Sequence, residues 1–400
     1  MKKSLILLGM SLLAACGVQK TELPLLPEEA FQTTVDGKPV ALYTLHAGDI
    51  TMQVTNYGAR VVSLWTPDRE GRYEDIVLGY ENIGRYIDNT GERFLGAVVG
   101  PYANRIAKGH FTLDGAEYTL PVNNNGQTLH GGLLGVDRVV WDVVSASDDK
   151  LVLHYLHPDG QDGFPGNLDI EMTYSLTPDN EFRIDYKATT DKPTVVNMSN
   201  HPFFNLKGEG NGTVLDNVMT INASHTTPVD SVLIPTGQIA PVEGTPFDFR
   251  EPHAIGERIG ADNQQLRNGG GYDHNWVIDR KTESGIEQVA TVWEPASGRT
   301  IEVLSDQPGL QVYSGNFFEH RQIRQAAALP RVAGARNAEV PRQPQPRQFP
   351  LDGTAPRGDL YAGLHLQVRR EITRRICLGG GGHPMVPSAV FPGHGCRPQP

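Results

Sequence analysis

Two adjacent runs of strict alternation constrain this chain more than any other feature. Ile170, Met172, Tyr174 and Leu176 alternate with polar neighbours, and after the breaker Pro178-Asp179-Asn180 the pattern resumes at Phe182, Ile184, Tyr186 and Ala188. A period of two places every apolar side chain on one face of an extended strand, so each run reads as a strand with one buried face. Ile50, Met52 and Val54, alternating with Thr51, Gln53 and Thr55, predict another of the same kind. Asp36-Gly37, Asp114-Gly115, Asn125-Gly126 and Asp159-Gly160 fall between such runs, where Asp, Asn and Gly tolerate the positive φ of tight turns. No long stripe at helical spacing competes. Many short strands with Gly-rich turns imply an all-β sandwich or barrel.

At 400 residues the chain can bury a sizeable core, as one large all-β domain or two smaller ones. Its charge, 35 basic against 46 acidic residues, disfavours nucleic acid and anionic membrane as partners, both of which require basic patches. At the N-terminus, Lys2 and Lys3 precede an apolar run from Leu5 to Leu13 that ends in Ala14-Ala15-Cys16. This order is that of a secretory signal, too short to span a bilayer as a mature helix. With Cys16 after the small pair it resembles a bacterial lipoprotein signal. Lipidation at Cys16 would anchor an exported protein to a membrane of the cell envelope or periplasm without threading the chain through it. Residues 1–15 are then the signal, 16–35 a polar tether and 36–318 the β domain. Beyond residue 318 the composition breaks. No lysine follows Lys281, arginine, proline and glycine accumulate, and alternation is not evident. Cys377 and Cys396 both lie in this tail, so they are not read as a disulfide framework.

Polar motifs lie between the strands. GPYANRIAKG carries Asn104 and Arg105, the latter a rigid fork of donors suited to orienting oxygens. In NNNGQTLHGG, His130 precedes a glycine pair that lets backbone and ligand approach closely. His201, in NMSNHPFFNL, is biased toward extended backbone by Pro202, with Phe203 and Phe204 available to anchor the segment. GYDHNWVI adds Asp273, and GLQVYSGNFF adds Gln311. Taken singly these are ordinary loop residues. Together they supply two imidazoles, a carboxylate, a guanidinium and amides, the inventory for gripping a polyhydroxylated ligand and moving protons on it. The histidines lack short ligand spacing such as HxxxH, so no metal site is expected. No dinucleotide fingerprint or phosphate loop appears, so no nucleotide cofactor is expected either.

The ordered set NYGARVVSLWTPDREG, DIVLGY, GPYANRIAKG, TLHGG, NMSNHPFFNL, GYDHNWVI and PGLQVYSGNFF resembles the aldose 1-epimerase (galactose mutarotase) family from about Phe31 to Phe318. The resemblance implies a large antiparallel β-sandwich with an open sugar cleft. It also implies cofactor-free interconversion of the α and β anomers of free aldoses such as galactose and glucose. His201 is then the acid, with His130, Asn104, Arg105, Asp273 and Gln311 holding or polarising the sugar. The family's base, a glutamate in a Leu-Glu-Thr-Gln motif, has no counterpart in the printed chain. Glu339 lies at a fitting distance but lacks the surrounding pattern. With suitably chosen codons, a one-nucleotide shift across Ala335–Pro350 reads Leu-Glu-Thr-Gln, so the tail is expected to be out-of-frame translation. Two other readings stand beside it: a sugar-binding lipoprotein that keeps the grip but has lost the base, and, within the same class, an epimerase of hexose 6-phosphates, which would call for additional basic residues in the cleft.

Overall fold

The computed structural model describes residues 22–89, 91–282 and 285–316, together with the backbone of 360–370. Cys16, Glu339, Cys377 and Cys396 lie outside these residues.

Strands β1 (Leu42–Ala47), β2 (Ile50–Thr55), β3 (Arg60–Pro67) and β4 (Tyr73–Asp75) form a four-stranded sheet in chain order. A nine-stranded sheet begins with a meander of β5 (Asp142–Ala146), β6 (Lys150–His157), β7 (Leu168–Leu176) and β8 (Glu181–Thr190). It is completed by β9 (Val218–Ile221), β10 (His253–Ala254), β11 (Glu287–Trp293), β12 (Arg299–Ser305) and β13 (Leu360–Arg370). Its spatial order is β5-β6-β7-β8-β13-β12-β11-β9-β10. A third sheet of four strands includes Asp273–Val277 paired with Gly309–Tyr313. The fold is all-β, as the alternation predicts, and its named strands pair antiparallel, as the resemblance implies.

The two alternating runs become β7 and β8, and their register explains why both patterns are needed. Ile170 pairs with Ala188, Met172 with Tyr186, Tyr174 with Ile184 and Leu176 with Phe182, so the apolar residues meet across the ladder on one face. That face packs with Met52, Val54, Val61 and Leu64 of the first sheet in a single core. A second core joins Ile221 and Val289 of the nine-stranded sheet to Trp276 of the third.

Three turn predictions hold as two-residue hairpins with positive φ at both central residues: Asp36-Gly37, Asp114-Gly115 and Asn125-Gly126. Asp159-Gly160 instead opens a longer loop between β6 and β7. Strand β2 departs from its prediction, because Thr51, Gln53 and Thr55 are buried as well. Their face is covered by the N-terminal segment, to which Gln53 is tied at both the N–H and the carbonyl of Leu26. Phe31 is fully buried beside Val40, Tyr57 and Tyr86, so packing starts ahead of the expected boundary at residue 36.

The tail differs more. Residues 360–370, where no strand was expected, form β13 between β8 and β12. The run Leu364, Leu366 and Val368 does alternate with His365, Gln367 and Arg369, a short signal hidden by its arginine- and proline-rich surroundings.

Candidate active site

The segments bearing Asn104, His130 and His201 are lashed together by main chain. Asn197 donates its N–H to Pro101 and accepts from Ala103 N–H, each at 2.7 Å, which ties the Asn104 segment to the one leading into His201. Arg105 pairs with Leu129 in a two-residue ladder that delivers His130 beside Asn104. There the two residues clasp: His130 N–H donates to the Asn104 carbonyl, and Asn104 N–H donates to His130 Nδ1, both at 3.0 Å. Both need left-handed backbone, with φ of 63° at Asn104 and 52° at His130. Next, Gly131 is obligatory, since a Cβ there would come within 1.8 Å of the Gly100 carbonyl oxygen.

The clasp settles the His130 tautomer. Nδ1 accepts a hydrogen bond, so in the neutral ring the proton sits on Nε2. Burial lowers its basicity well below the usual histidine range, and His201, Arg105 and Arg93 push it the same way. His201 stands edge-on to His130, ring centroids 5.1 Å apart at 83°. Its backbone is fixed on both sides, by Ala97 O at 2.8 Å and Gly96 N–H at 3.1 Å. Burial brings its pKa down to about 4, with Arg60 acting in the same direction. Phe94 packs against both imidazoles, and Phe203 against His201.

On the third sheet, Gln311 Nε2 donates to Asp273 Oδ1 at 2.8 Å. The two lie on paired strands, diagonal to one another on one face, as period-two geometry requires. Burial raises the Asp273 carboxyl, while Arg105 and Gln311 draw it back toward the ionised form. Arg105 in turn feels Asp273, Tyr313 and Asp230, against a larger lowering by burial. Its Nη1 reaches Asn104 Oδ1 at 3.2 Å, and its buried Nε has no hydrogen-bond partner among the described residues.

The structure therefore clusters His130, His201, Asn104 and Arg105, and brings Asp273 and Gln311 together within the electrostatic reach of Arg105. Sequence reasoning missed the support beneath them. Asp137, fully buried, receives Arg93 through two bonds of 2.8 and 2.9 Å, with the Arg60 guanidinium 3.6 Å away. Arg93 also donates to the carbonyls of Gly132 and Leu134, bracing the loop that follows His130. Most of those partners are backbone groups distant in sequence, which no local motif encodes. Arg60 does lie within NYGARVVSLW, but nothing there reveals that its guanidinium is buried.

The aldose 1-epimerase family model matches residues 41–339. Galactose mutarotase from Sus scrofa is 40% identical over 280 residues, covering 70% of this chain and 79% of that protein. Aldose 1-epimerase from Escherichia coli K12 is 39% identical over 284 residues, covering 70% and 80%. Among solved structures, galactose 1-epimerase from Lactobacillus acidophilus superposes with a TM-score of 0.69 at 26% identity, covering 84% of this chain and 96% of that one.

Proposed function

The chain belongs to the aldose 1-epimerase family, and we propose that it interconverts the α and β anomers of a free aldose such as galactose or glucose by acid–base ring opening. A carboxylate base removes the proton of the anomeric hydroxyl, C1=O forms, and the C1–O5 bond breaks with its electron pair passing to O5. Protonated His201 supplies the proton to O5. The open aldehyde turns about C1–C2 and closes with the two proton roles reversed. His130, neutral with its proton on Nε2, donates to a sugar oxygen, while Asn104, Arg105, Asp273 and Gln311 hold the hydroxyls. The observation that carries this reading is the His130–His201 pair, with the His130 ring held by Asn104 so that its proton falls on Nε2 and the His201 ring edge-on beside it.

His201 is neutral at pH 7, because burial holds it at about 4. An anion beside it would favour the imidazolium. The base carboxylate therefore serves twice, as proton acceptor and as partner that charges the acid. Its family position falls beyond residue 316, where the printed chain lacks the expected motif, so the corrected frame is part of the proposal. The arginines favour a free aldose over a hexose 6-phosphate: Arg93 is committed to Asp137 and to loop carbonyls, leaving Arg105 opposite Asp273. The printed sequence, taken at face value, favours a second reading, a sugar binder without turnover.

The test is galactose mutarotation by polarimetry, with galactose binding measured separately, for the chain as printed and for the gene resequenced across codons 310 to 340. The corrected frame is expected to turn over, and His201→Asn in it to lose about 10²- to 10⁴-fold in rate while galactose still binds. An unshifted frame that binds galactose without accelerating mutarotation establishes the binder. Turnover unaffected by His201→Asn removes His201 as the acid.

A further inference from the structure

The HGGLLG loop carries His130 at its start, yet apolar burial does not hold its tip. Leu133 and Leu134 are 55% and 39% exposed. Polar contacts hold it instead, and they divide by type. Its carbonyls are taken by a cation and an amide: Arg93 donates to Gly132 O and Leu134 O, and Asn123 Nδ2 donates to Gly132 O and to the carbonyl of Leu129 just ahead of the loop. Its amides converge on one carboxylate. Asp162 Oδ1 accepts from Leu133 N–H at 2.9 Å and Leu134 N–H at 3.2 Å, and Oδ2 accepts from Gly135 N–H at 3.0 Å.

Asp162 comes from the turn between β6 and β7, remote in sequence from the loop, and adopts a left-handed φ of 48°. The fit is close. A Cβ on Gly132, whose φ is 103°, would lie 2.9 Å from Asp162 Oδ1. Three successive N–H groups can satisfy a single side chain in this way only if it offers two oxygens, each with more than one acceptor direction.

We propose that Asp162 is a positioning residue for sugar recognition, acting through His130: it staples the HGGLLG loop so that the His130–Asn104 clasp keeps its geometry. This rests on the aldose reading for its consequence, though not for the staple itself. An asparagine leaves one carbonyl oxygen and turns an NH₂ toward an N–H, so Asp162→Asn breaks at least one of the three bonds. Asp162→Glu keeps the charge and both oxygens, one carbon further out.

The experiment uses the full chain with Asp162→Asn, Asp162→Glu, His130→Ala and the Asp162→Asn/His130→Ala double variant. Hydrogen exchange over residues 129–137, the ¹³C-labelled His130 ring signal and galactose affinity are read together, with the amides of β7 as a control for folding. In Asp162→Asn, exchange in the loop is expected to rise about tenfold with β7 unchanged, the His130 signal to move, and galactose affinity to fall about tenfold. Once His130 is alanine, Asp162→Asn is expected to cost no further affinity, since coupled positions are non-additive. Asp162→Glu recovers part of the loss and serves as the test variant should Asp162→Asn not fold. Unchanged loop exchange overturns the staple. Faster exchange with an unmoved His130 signal and full galactose affinity overturns the positioning role. An unaltered chain that binds no galactose refutes the aldose reading alone, and loop exchange with the His130 signal still decides the staple.

Discussion

Asp137 is a single carboxylate on which much of the site depends. It is fully buried against Arg60, itself 1% exposed, and Arg93. A buried ion pair need not exceed a hydrophobic substitute in stability, but removing one partner leaves the other charged and unsolvated. Asp137→Ala strands two guanidiniums and frees Arg93, the brace of the His130 loop. Urea denaturation of this variant is expected to show a loss of about 3–5 kcal/mol. A loss below about 1 kcal/mol would mean that the guanidiniums find water or other acceptors. At this scale the sequence was readable where chemistry is local. His201 before Pro202, His130 before two glycines and Gln311 on an alternating run each carry a signal in their neighbours. Asp137 and Asp162 carry none, because their partners are backbone groups and arginines brought close only by the fold.

Among elements, legibility followed the number of faces that meet water. Strands β7 and β8 each bury one face, and simple alternation revealed them. Strand β2 buries both, so alternation alone marks its polar residues as solvent-facing, whereas Gln53 bonds to the covering segment and Thr51 and Thr55 are buried beside it. Strand β13 was missed altogether, although its place is structurally decisive. It pairs Leu364 with Ile184 on one side and with Ser305 on the other, joining the β5–β8 meander to β12 and the strands beyond. Without it, two long strand edges stand open, a template for pairing between chains. Ladder hydrogen bonds are made by backbone and tolerate many side chains, so a strand of unusual composition can still occupy this slot. A proline at a position paired on both sides removes an N–H that an edge strand could spare and a central strand cannot. In the chain as printed, Leu364→Pro is accordingly expected to cost about 3 kcal/mol or more in urea denaturation and to promote concentration-dependent association. A variant as stable and as monomeric as the parent would remove β13 from the sheet.

At the scale of the whole molecule, acid sensitivity lies in buried histidines, of which His157 and His274 take no part in the proposed chemistry. His157 is fully buried and His274 is 1% exposed; among the described residues neither ring nitrogen of His157, nor Nε2 of His274, has a hydrogen-bond partner. Burial lowers both from 6.5 to about 4. In the unfolded chain these groups take up protons near the ordinary value, whereas the folded protein keeps them neutral down to the lower one. Between those pH values the unfolded state binds more protons, so stability rises with pH there and is lost on acidification. Each pH unit of difference is worth about 1.4 kcal/mol per group, so the pair contributes several kcal/mol at pH 7, on the order of 3 kcal/mol from each. The net charge of −11 bears on the same pH range: as acid neutralises carboxylates, repulsion within the folded state eases and partly offsets the loss. Urea midpoints measured from pH 7 to pH 4 separate these contributions. The parent is expected to weaken steeply below about pH 6.5, and His157→Gln, which cannot titrate, to weaken less steeply whatever its stability at pH 7. Parallel curves for parent and variant would show that His157 protonates as easily in the fold as outside it, and that its burial admits water.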